Sequence, residues 1–195
     1  MIGIVNYGAG NTASVSYALE RLGVPFILSN SAAELEKCSK IIFPGVGSAE
    51  AAMNKLKEYE LIDYLKNTRK PLLGICLGMQ MFASFSEEGN IECLNIIETK
   101  CLKFRDKNVK IPNMGWSSIT LESSSRLFEG IPAGAYFYFA HSFYIPLNNY
   151  TIAASENGQP FTASLRKDNF YGVQFHPEKS SDAGMKVLNN FVEII

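Results

Sequence analysis

The shortages in this sequence narrow its chemistry first. It has only two histidines among 195 residues, His141 and His176, so a reaction that needs an imidazole has two places to find one. The four cysteines, Cys38, Cys76, Cys93 and Cys101, form no C-x-x-C pair, and none stands at ligand spacing from a histidine. That pattern argues against a structural zinc, and neither a metal nor a cofactor is expected. The thiols read as reduced groups of an intracellular protein rather than as a disulfide framework. A charge excess is missing too: the net charge is −1 and the charged residues are scattered, so neither a nucleic-acid surface nor a polybasic membrane anchor is indicated. No apolar run approaches the ~20 residues a bilayer span requires, and the opening Met-Ile-Gly-Ile-Val-Asn carries no basic leader. A cytoplasmic protein is the expectation. No internal repeat, low-complexity segment or linker interrupts the chain, so residues 1–195 are expected to form one domain with a three-layer core.

What is present divides at Glu88. Before it, short apolar runs alternate with helical periodicity. Ile2 to Asn6, Val24 to Leu28, Ile41 to Phe43 and Leu72 to Ile75 read as buried strands. Val15, Ala18, Leu19 and Leu22 recur at helix spacing, and a second helical stretch covers Ala49 to Lys66. This is the pattern of an α/β protein with a parallel sheet. After Glu88 the runs are short and rich in aromatic and β-branched residues: Ile96 to Phe104, Trp116 to Leu121, Tyr136 to Ala140, Thr151 to Ser155, Phe161 to Leu165 and Phe170 to Phe175. They are expected as antiparallel strands added to one side of the parallel core. A helix capped by Ser180 or Ser181 closes the chain, with Val187, Leu188, Phe191 and Ile195 as its buried face.

The chemistry centres on Gly-Ile-Cys-Leu-Gly at residues 74–78, a G-x-C-x-G pattern that ends an apolar run. Such a pattern marks a strand-to-helix elbow, with sulfur in place of the serine hydroxyl. Alone, Cys76 could be a small buried hydrophobe. The flanking glycines favour a nucleophile held on a sharp turn near the amide dipoles of a following helix, where a thiolate is stabilised. Val-Gln-Phe-His-Pro-Glu at 173–178 supplies a base and its orienting acid: positions two apart in an extended chain face the same way, so Glu178 can reach the imidazole of His176. A neighbouring imidazole can take a thiol proton at neutral pH. His141, in Phe-Ala-His-Ser-Phe, has no carboxylate near it in sequence and reads as a structural or substrate-lining group.

Two glycine loops remain. Gly8-Ala9-Gly10-Asn11-Thr12-Ala13 has the spacing of the dinucleotide fingerprint, but Ser29 and Asn30 stand where that fingerprint needs an acid. A turn, with Asn11 facing a partner, is the better reading. Pro44-Gly45-Val46-Gly47 follows the third strand, beside the expected position of Cys76. Acyl transfer needs two amide donors aimed at a developing oxyanion. One is assigned to the turn of Gly45, Val46 and Gly47, the other to the amide of Leu77; a tight turn without chemistry is the alternative.

Pro-Gly-Val-Gly at 44, Gly-Ile-Cys-Leu-Gly-Met-Gln at 74 and Gln-Phe-His-Pro-Glu-Lys-Ser at 174 together resemble the class I glutamine amidotransferases. Within that family the chain is similar to the glutaminase subunits of imidazole glycerol phosphate synthases. The resemblance runs from Ile4 to Phe191 and includes Asn-Tyr-Gly-Ala-Gly-Asn, Asn-Met-Gly-Trp and Tyr-Phe-Tyr-Phe-Ala-His-Ser-Phe. It implies a flavodoxin-like three-layer fold and a catalytic triad of Cys76, His176 and Glu178. Cys76 would attack the side-chain amide of glutamine, and a γ-glutamyl thioester would be hydrolysed to glutamate. It further implies that Gln80 and Glu88 hold the backbone groups of glutamine and that the backbone around Ser142 and Phe143 meets its carboxylate. The ammonia would pass to a (β/α)8 cyclase subunit that makes imidazole glycerol phosphate and an aminoimidazole carboxamide ribotide in histidine biosynthesis. Asn11, Trp116 and Lys179 would ring the mouth of the site on the face that meets this partner.

Three positions depart from the pattern: Asn113 replaces the usual histidine, Ser117 a common asparagine, and Asn6 a common aspartate. None belongs to the triad. They bear on the partner, since paralogous subunits feed ammonia to other sugar-modifying synthases. A stand-alone cysteine hydrolase is disfavoured by Leu77, where some such enzymes carry histidine, and by the distant His176–Glu178 pair. A non-catalytic module on the same sheet would need no such triad.

Overall fold

The computed structural model describes residues 1–8 and 11–195; residues 9 and 10, in the loop read as a turn, lie outside them. The first half alternates as its periodicity indicates: Ile2–Val5 (β1), Thr12–Arg21 (α1), Phe26–Ser29 (β2), Ala32–Leu35 (α2), Lys40–Gly45 (β3), Ala49–Glu58 (α3), Ile62–Asn67 (α4), Leu72–Cys76 (β4) and Leu77–Gln80 (α5). Strand β1 pairs in parallel with β2 and β3, and β3 with β4. Side chains alternate across this sheet, as the strand period requires. Ile42 packs with Val15 and Leu19 of α1, while Ile41 and Phe43 pack with Ala52 and Leu56 of α3. Two details differ from expectation. The helix foreseen over Ala49 to Lys66 is two helices, because Glu60 adopts φ +56° and ends the run. Helix α2, one turn long, gave no periodic signal.

The second half contributes Phe85–Ser86 (β5), Ile91–Glu92 (β6), Lys100–Lys103 (β7), Asn113–Ser118 (β8), Thr120–Leu121 (β9), Tyr136–His141 (β10), Phe143–Tyr144 (β11), Thr151–Glu156 (β12), Pro160–Lys167 (β13), Phe170–Val173 (β14) and Ser181–Glu193 (α6). The large sheet has the order β2-β1-β3-β4-β14-β13-β12-β9. An α/β core extended by antiparallel strands is therefore what forms, but with a different division of strands. Strand β14 belongs to the parallel part, because it pairs with β4 in parallel, Gly172 opposite Gly74, and its four residues are buried. Its run is apolar on both faces, as a central parallel strand must be. Only β13, β12 and β9 make the antiparallel extension.

The remaining strands leave the large sheet. β8 and β10 form a two-stranded ribbon, and β11, β7, β5 and β6 a four-stranded sheet. Along β8 the burial alternates strictly, with Met114, Trp116 and Ser118 exposed. Such a ribbon has one wet face and cannot be a central strand of a covered sheet. The stretch from Ile96 to Phe104 retains only β7 as strand.

Helices α1 and α6 cover one face of the large sheet and α3, α4 and α5 the other. Phe137, Phe139 and Phe175 fill the space beneath the ribbon, with the rings of Phe137 and Phe175 stacked at 4.1 Å between centroids. On the opposite face α5 lies against β3 so closely that a Cβ at Gly78 would fall on the carbonyl oxygen of Phe43. That oxygen is backbone and cannot retreat alone. Gly78→Ala should therefore lower the unfolding free energy by about 3 kcal/mol, read as a lower urea midpoint. An unchanged midpoint would mean that α5 can lift from the strand at no cost.

Candidate active site

Cys76 ends β4 with φ +53° and ψ −108°, a conformation that non-glycine residues adopt only when their surroundings impose it. The close seat of α5 on β3 imposes it here. Gly45 sits opposite Cys76 in the sheet and faces the Leu77–Gly78 backbone, where any Cβ would collide. The elbow inferred from G-x-C-x-G is present. The helix behind it is not the expected dipole source, since α5 is a single turn. The environment of the sulfur comes instead from side chains.

Those side chains arrive from β14 and the turn after it. His176 Nδ1 and Glu178 Oε1 are 2.9 Å apart, with both side chains buried. Their proximity was expected from an extended chain. Residues 177–179 form a 3-10 turn instead, and that turn folds the carboxylate back onto the ring. Ser180, expected to cap α6, donates its hydroxyl to the His176 carbonyl at 2.6 Å and accepts the Tyr138 amide at 2.9 Å. It anchors the turn to β10 and makes no side-chain cap on the helix. Asn11 Nδ2 also reaches Glu178 Oε1, at 3.4 Å. A residue assigned to the partner face thus touches Glu178, the acid expected in the triad.

Burial acts to lower the His176 pKa, but the Cys76 sulfur and the Glu178 carboxylate more than offset it and raise it to about 10. The ring therefore holds its proton at neutral pH. That differs from the free imidazole value of about 6.5 used to describe it as a waiting base.

The second histidine behaves in the opposite way. His141 is buried, and this desolvation, opposed by a hydrogen bond to Phe143 and reinforced by the charge of His176, lowers its pKa to about 4. The ring is neutral. Its Nδ1 lies 2.8 Å from the Phe143 carbonyl and so must carry the proton there; Nε2 then accepts from Asn113 Nδ2 at 2.9 Å.

A cavity of about 290 Å³ opens over the sulfur. Val46, Gly47, Leu77 and Gln80 line it from the elbow and the turn beside it, with Glu88, Ser142 and Phe143. His176 and Lys179 complete the ring, and the exposed Lys179 stands at the rim. The sequence-assigned residues therefore converge on this cavity with four exceptions, of which Glu178 reaches it through His176. Gly45 lies beneath the elbow, Asn11 lies behind Glu178, and Trp116, 51 % exposed, stands outside the wall on the same face of β8 as the wall residue Met114.

Gln80 is also less free than a substrate ligand would be, because its Nε2 donates to the Phe143 carbonyl at 2.8 Å and to Gln174 Oε1 at 2.9 Å. Glu88 accepts the Ala49 amide at 2.9 Å; burial raises its pKa and that amide partly offsets the rise. Among the described residues no cluster of side chains could hold a metal ion, the four cysteines are unpaired, and no helix is long and apolar enough to cross a membrane.

Sequence reasoning missed Gln174. It is fully buried, and its Nε2 lies 3.6 Å from Cys76 Sγ. The one signal for it was a polar residue at the end of an otherwise apolar strand.

Comparison with known proteins agrees with this geometry. The family model described as glutamine amidotransferase class-I matches residues 3–195. The imidazole glycerol phosphate synthase subunit HisH of Bacteroides fragilis is 46 % identical over 195 residues, covering 99 % of each chain. The subunit HisH of Yersinia pseudotuberculosis is 46 % identical over 192 residues, 98 % of each. Subunit HisH 2 of Campylobacter jejuni is 49 % identical over 193 residues, covering 98 % of this chain and 97 % of its own. Among solved structures, a glutamine amidotransferase superposes with a TM-score of 0.77 at 18 % identity, covering 99 % of this chain and 97 % of that one. PurLQS from Thermotoga maritima gives 0.72 at 17 % identity, again covering 99 % and 97 %; at such identities the likeness is one of fold. The match over nearly the whole sequence, on a chain whose cysteine, histidine and glutamate meet at the strand ends, establishes that it belongs to the class-I glutamine amidotransferase family.

Proposed function

We propose that the chain is the glutaminase subunit of an imidazole glycerol phosphate synthase, acting as one domain over residues 1–195. The observation that carries this reading is Cys76 at a strained elbow beside a histidine whose far nitrogen is 2.9 Å from a buried glutamate. The sulfur attacks the side-chain amide carbon of glutamine, and the oxyanion that forms is met by the amides of Leu77 and of the Val46–Gly47 turn. His176, already protonated, hands its proton to the departing ammonia, and then takes one from the water that hydrolyses the thioester. Glu178 keeps the imidazolium oriented and balanced in charge. In the bound substrate, the carbonyl oxygen of Gln80 and the free carboxylate oxygen of Glu88 remain to accept from the α-amino group, while the Ser142–Phe143 backbone meets the carboxylate.

The rim residues Lys179 and Trp116, with Asn11 behind the triad, form the face offered to the cyclase. There the lysine can pair with a partner carboxylate, and tryptophan is a broad anchor of the kind enriched at interface hot spots. Of the three departures, Asn113 has a structural task, since it donates to His141. Asn6 accepts the Gly8 amide at 3.4 Å. Nothing in the structure explains Ser117.

Cys76→Ser should remove glutamine-dependent product formation by the complex with the cyclase and leave the ammonia-dependent reaction intact, because the hydroxyl cannot replace sulfur as both nucleophile and leaving group. Retained glutaminase turnover would end this reading. Glu178→Gln should keep a measurable fraction of kcat and lose less than His176→Ala, because it removes charge from the ring without removing the proton carrier.

His141 provides a pH test of the fold around the site. Between pH 6.5, where the unfolded ring takes up a proton, and about 4, where the folded one does, the unfolded state binds more protons. Stability should therefore fall as the pH drops through that window, by about 3 kcal/mol in all. Comparing urea midpoints of the wild type and His141→Asn from pH 7 to 4 isolates this share from that of the carboxylates: the gap between them should narrow as the pH falls.

A further inference from the structure

Gln174 is a fully buried polar side chain just after β14; it does not line the cavity itself but sits behind two residues that do, Cys76 and Gln80. Burying a primary amide is costly unless its donors and acceptor are used. Its Oε1 accepts from Gln80 Nε2 at 2.9 Å, and its Nε2 points at Cys76 Sγ from 3.6 Å. Amide orientation is often ambiguous, because oxygen and nitrogen are interchangeable in shape. Here it is fixed from a distance. The Phe143 carbonyl can only accept, so the Gln80 atom 2.8 Å from it must be nitrogen. The Gln174 atom facing that nitrogen must then be oxygen, which leaves the Gln174 nitrogen toward the sulfur.

The sulfur has a second neighbour, the Ala140 carbonyl at 3.9 Å. That oxygen can receive a thiol proton but offers nothing to a sulfur anion. The Gln174 N–H does the reverse, since a hydrogen bond to a charged acceptor is about twice as strong as one to a neutral acceptor. The two contacts therefore sort the protonation states of Cys76.

We propose that Gln174 is a further catalytic residue, whose amide N–H stabilises the Cys76 thiolate, with Gln80 as the positioning residue that fixes which end of the amide meets the sulfur. This rests on the reading of Cys76 as nucleophile. The contact acts twice in the cycle. Before attack it holds the electron pair on sulfur that forms the C–S bond. When water attacks the thioester and gives a proton to His176, the C–S bond breaks, its pair returns to sulfur, and the same N–H receives it. A thioester sulfur is a poor acceptor, so the interaction is weakest in the intermediate and strongest in the states flanking it.

The other titratable groups around the sulfur are His176 and Glu178 in the turn after β14, Tyr7 after β1, His141 at the end of β10, Cys101 on β7, and Glu88 and Lys179 on the cavity wall. All remain in a variant confined to position 174. The test is the rate of Cys76 carboxamidomethylation by iodoacetamide against pH, with the labelled cysteine located by mass spectrometry, in the full chain carrying Gln174→Met. The midpoint should rise by about one pH unit relative to the wild type, with about tenfold slower labelling below it.

An unmoved midpoint in the folded variant overturns the proposal and leaves the nucleophile intact. Absence of Cys76 labelling in the wild type overturns both. Should Gln174→Met fail to fold, Gln80→Met reads the same chain one link back: it frees the Gln174 amide to turn, so a midpoint shifted upward supports the proposal and an unmoved one overturns it.

Discussion

The contact between Gly78 and the Phe43 carbonyl leaves no room for a side chain, and the geometry of the site follows from that approach. With α5 pressed against β3, the chain cannot leave β4 by a relaxed turn. Cys76 takes up φ +53°, a cost on the order of 1–3 kcal/mol for a non-glycine residue. The strain directs the sulfur out of the sheet toward the ends of β10 and β14. Gly45, directly opposite Cys76, gives the same helix its clearance on the other side. Packing thus sets the direction of the nucleophile before any polar interaction is formed.

A second constraint orders the polar groups. The Phe143 carbonyl accepts from His141 Nδ1 and from Gln80 Nε2, both at 2.8 Å. Both lone pairs of one oxygen are thereby used. From it follow the tautomer of His141, the donor role of Asn113, and the orientation of Gln80 and so of Gln174. Phe143 belongs to β11, paired with β7 in the small four-stranded sheet. That sheet looks peripheral in the topology, but it holds the atom on which the amides around the sulfur are aligned. The β8–β10 ribbon plays the corresponding part on the other side. It ends at His141, receives Ser180 through the Tyr138 amide, and so ties the His176 turn to the pocket wall.

The two histidines show how position separates chemically identical groups. Both are buried, yet His176 rises to about 10 and His141 falls to about 4. The difference is partnership: a sulfur and a carboxylate flank the first, while the second meets a carbonyl and an amide and feels the charge of the first. The first ring is tied to a carboxylate, and the second is a fixed part of the frame.

The sequence by itself determined the alternation of the first half, the elbow at Cys76 and the pairing of His176 with Glu178, since these depend on local signals: hydrophobic period, glycines bracketing a cysteine, and a histidine and glutamate within one short segment. The tertiary structure decided what local signals do not encode. A parallel partner for β14 required β4, about a hundred residues earlier in the chain, and the Phe170 to Phe175 run reads the same for either strand direction. The break at Glu60 was hidden because helical periodicity continues through Tyr59 to Ile62. The His176–Glu178 contact was expected for the wrong backbone: an extended chain and a 3-10 turn can both bring residues two apart together, and only packing of Ser180 against β10 selects the turn. Gln174 was illegible because a buried glutamine acquires meaning only from what lies across from it. Its two partners, Cys76 and Gln80, come from another strand and from the elbow behind it. Sequence specifies which groups a residue carries; the direction of a hydrogen bond is a property of the pair, and the pair exists only in the fold.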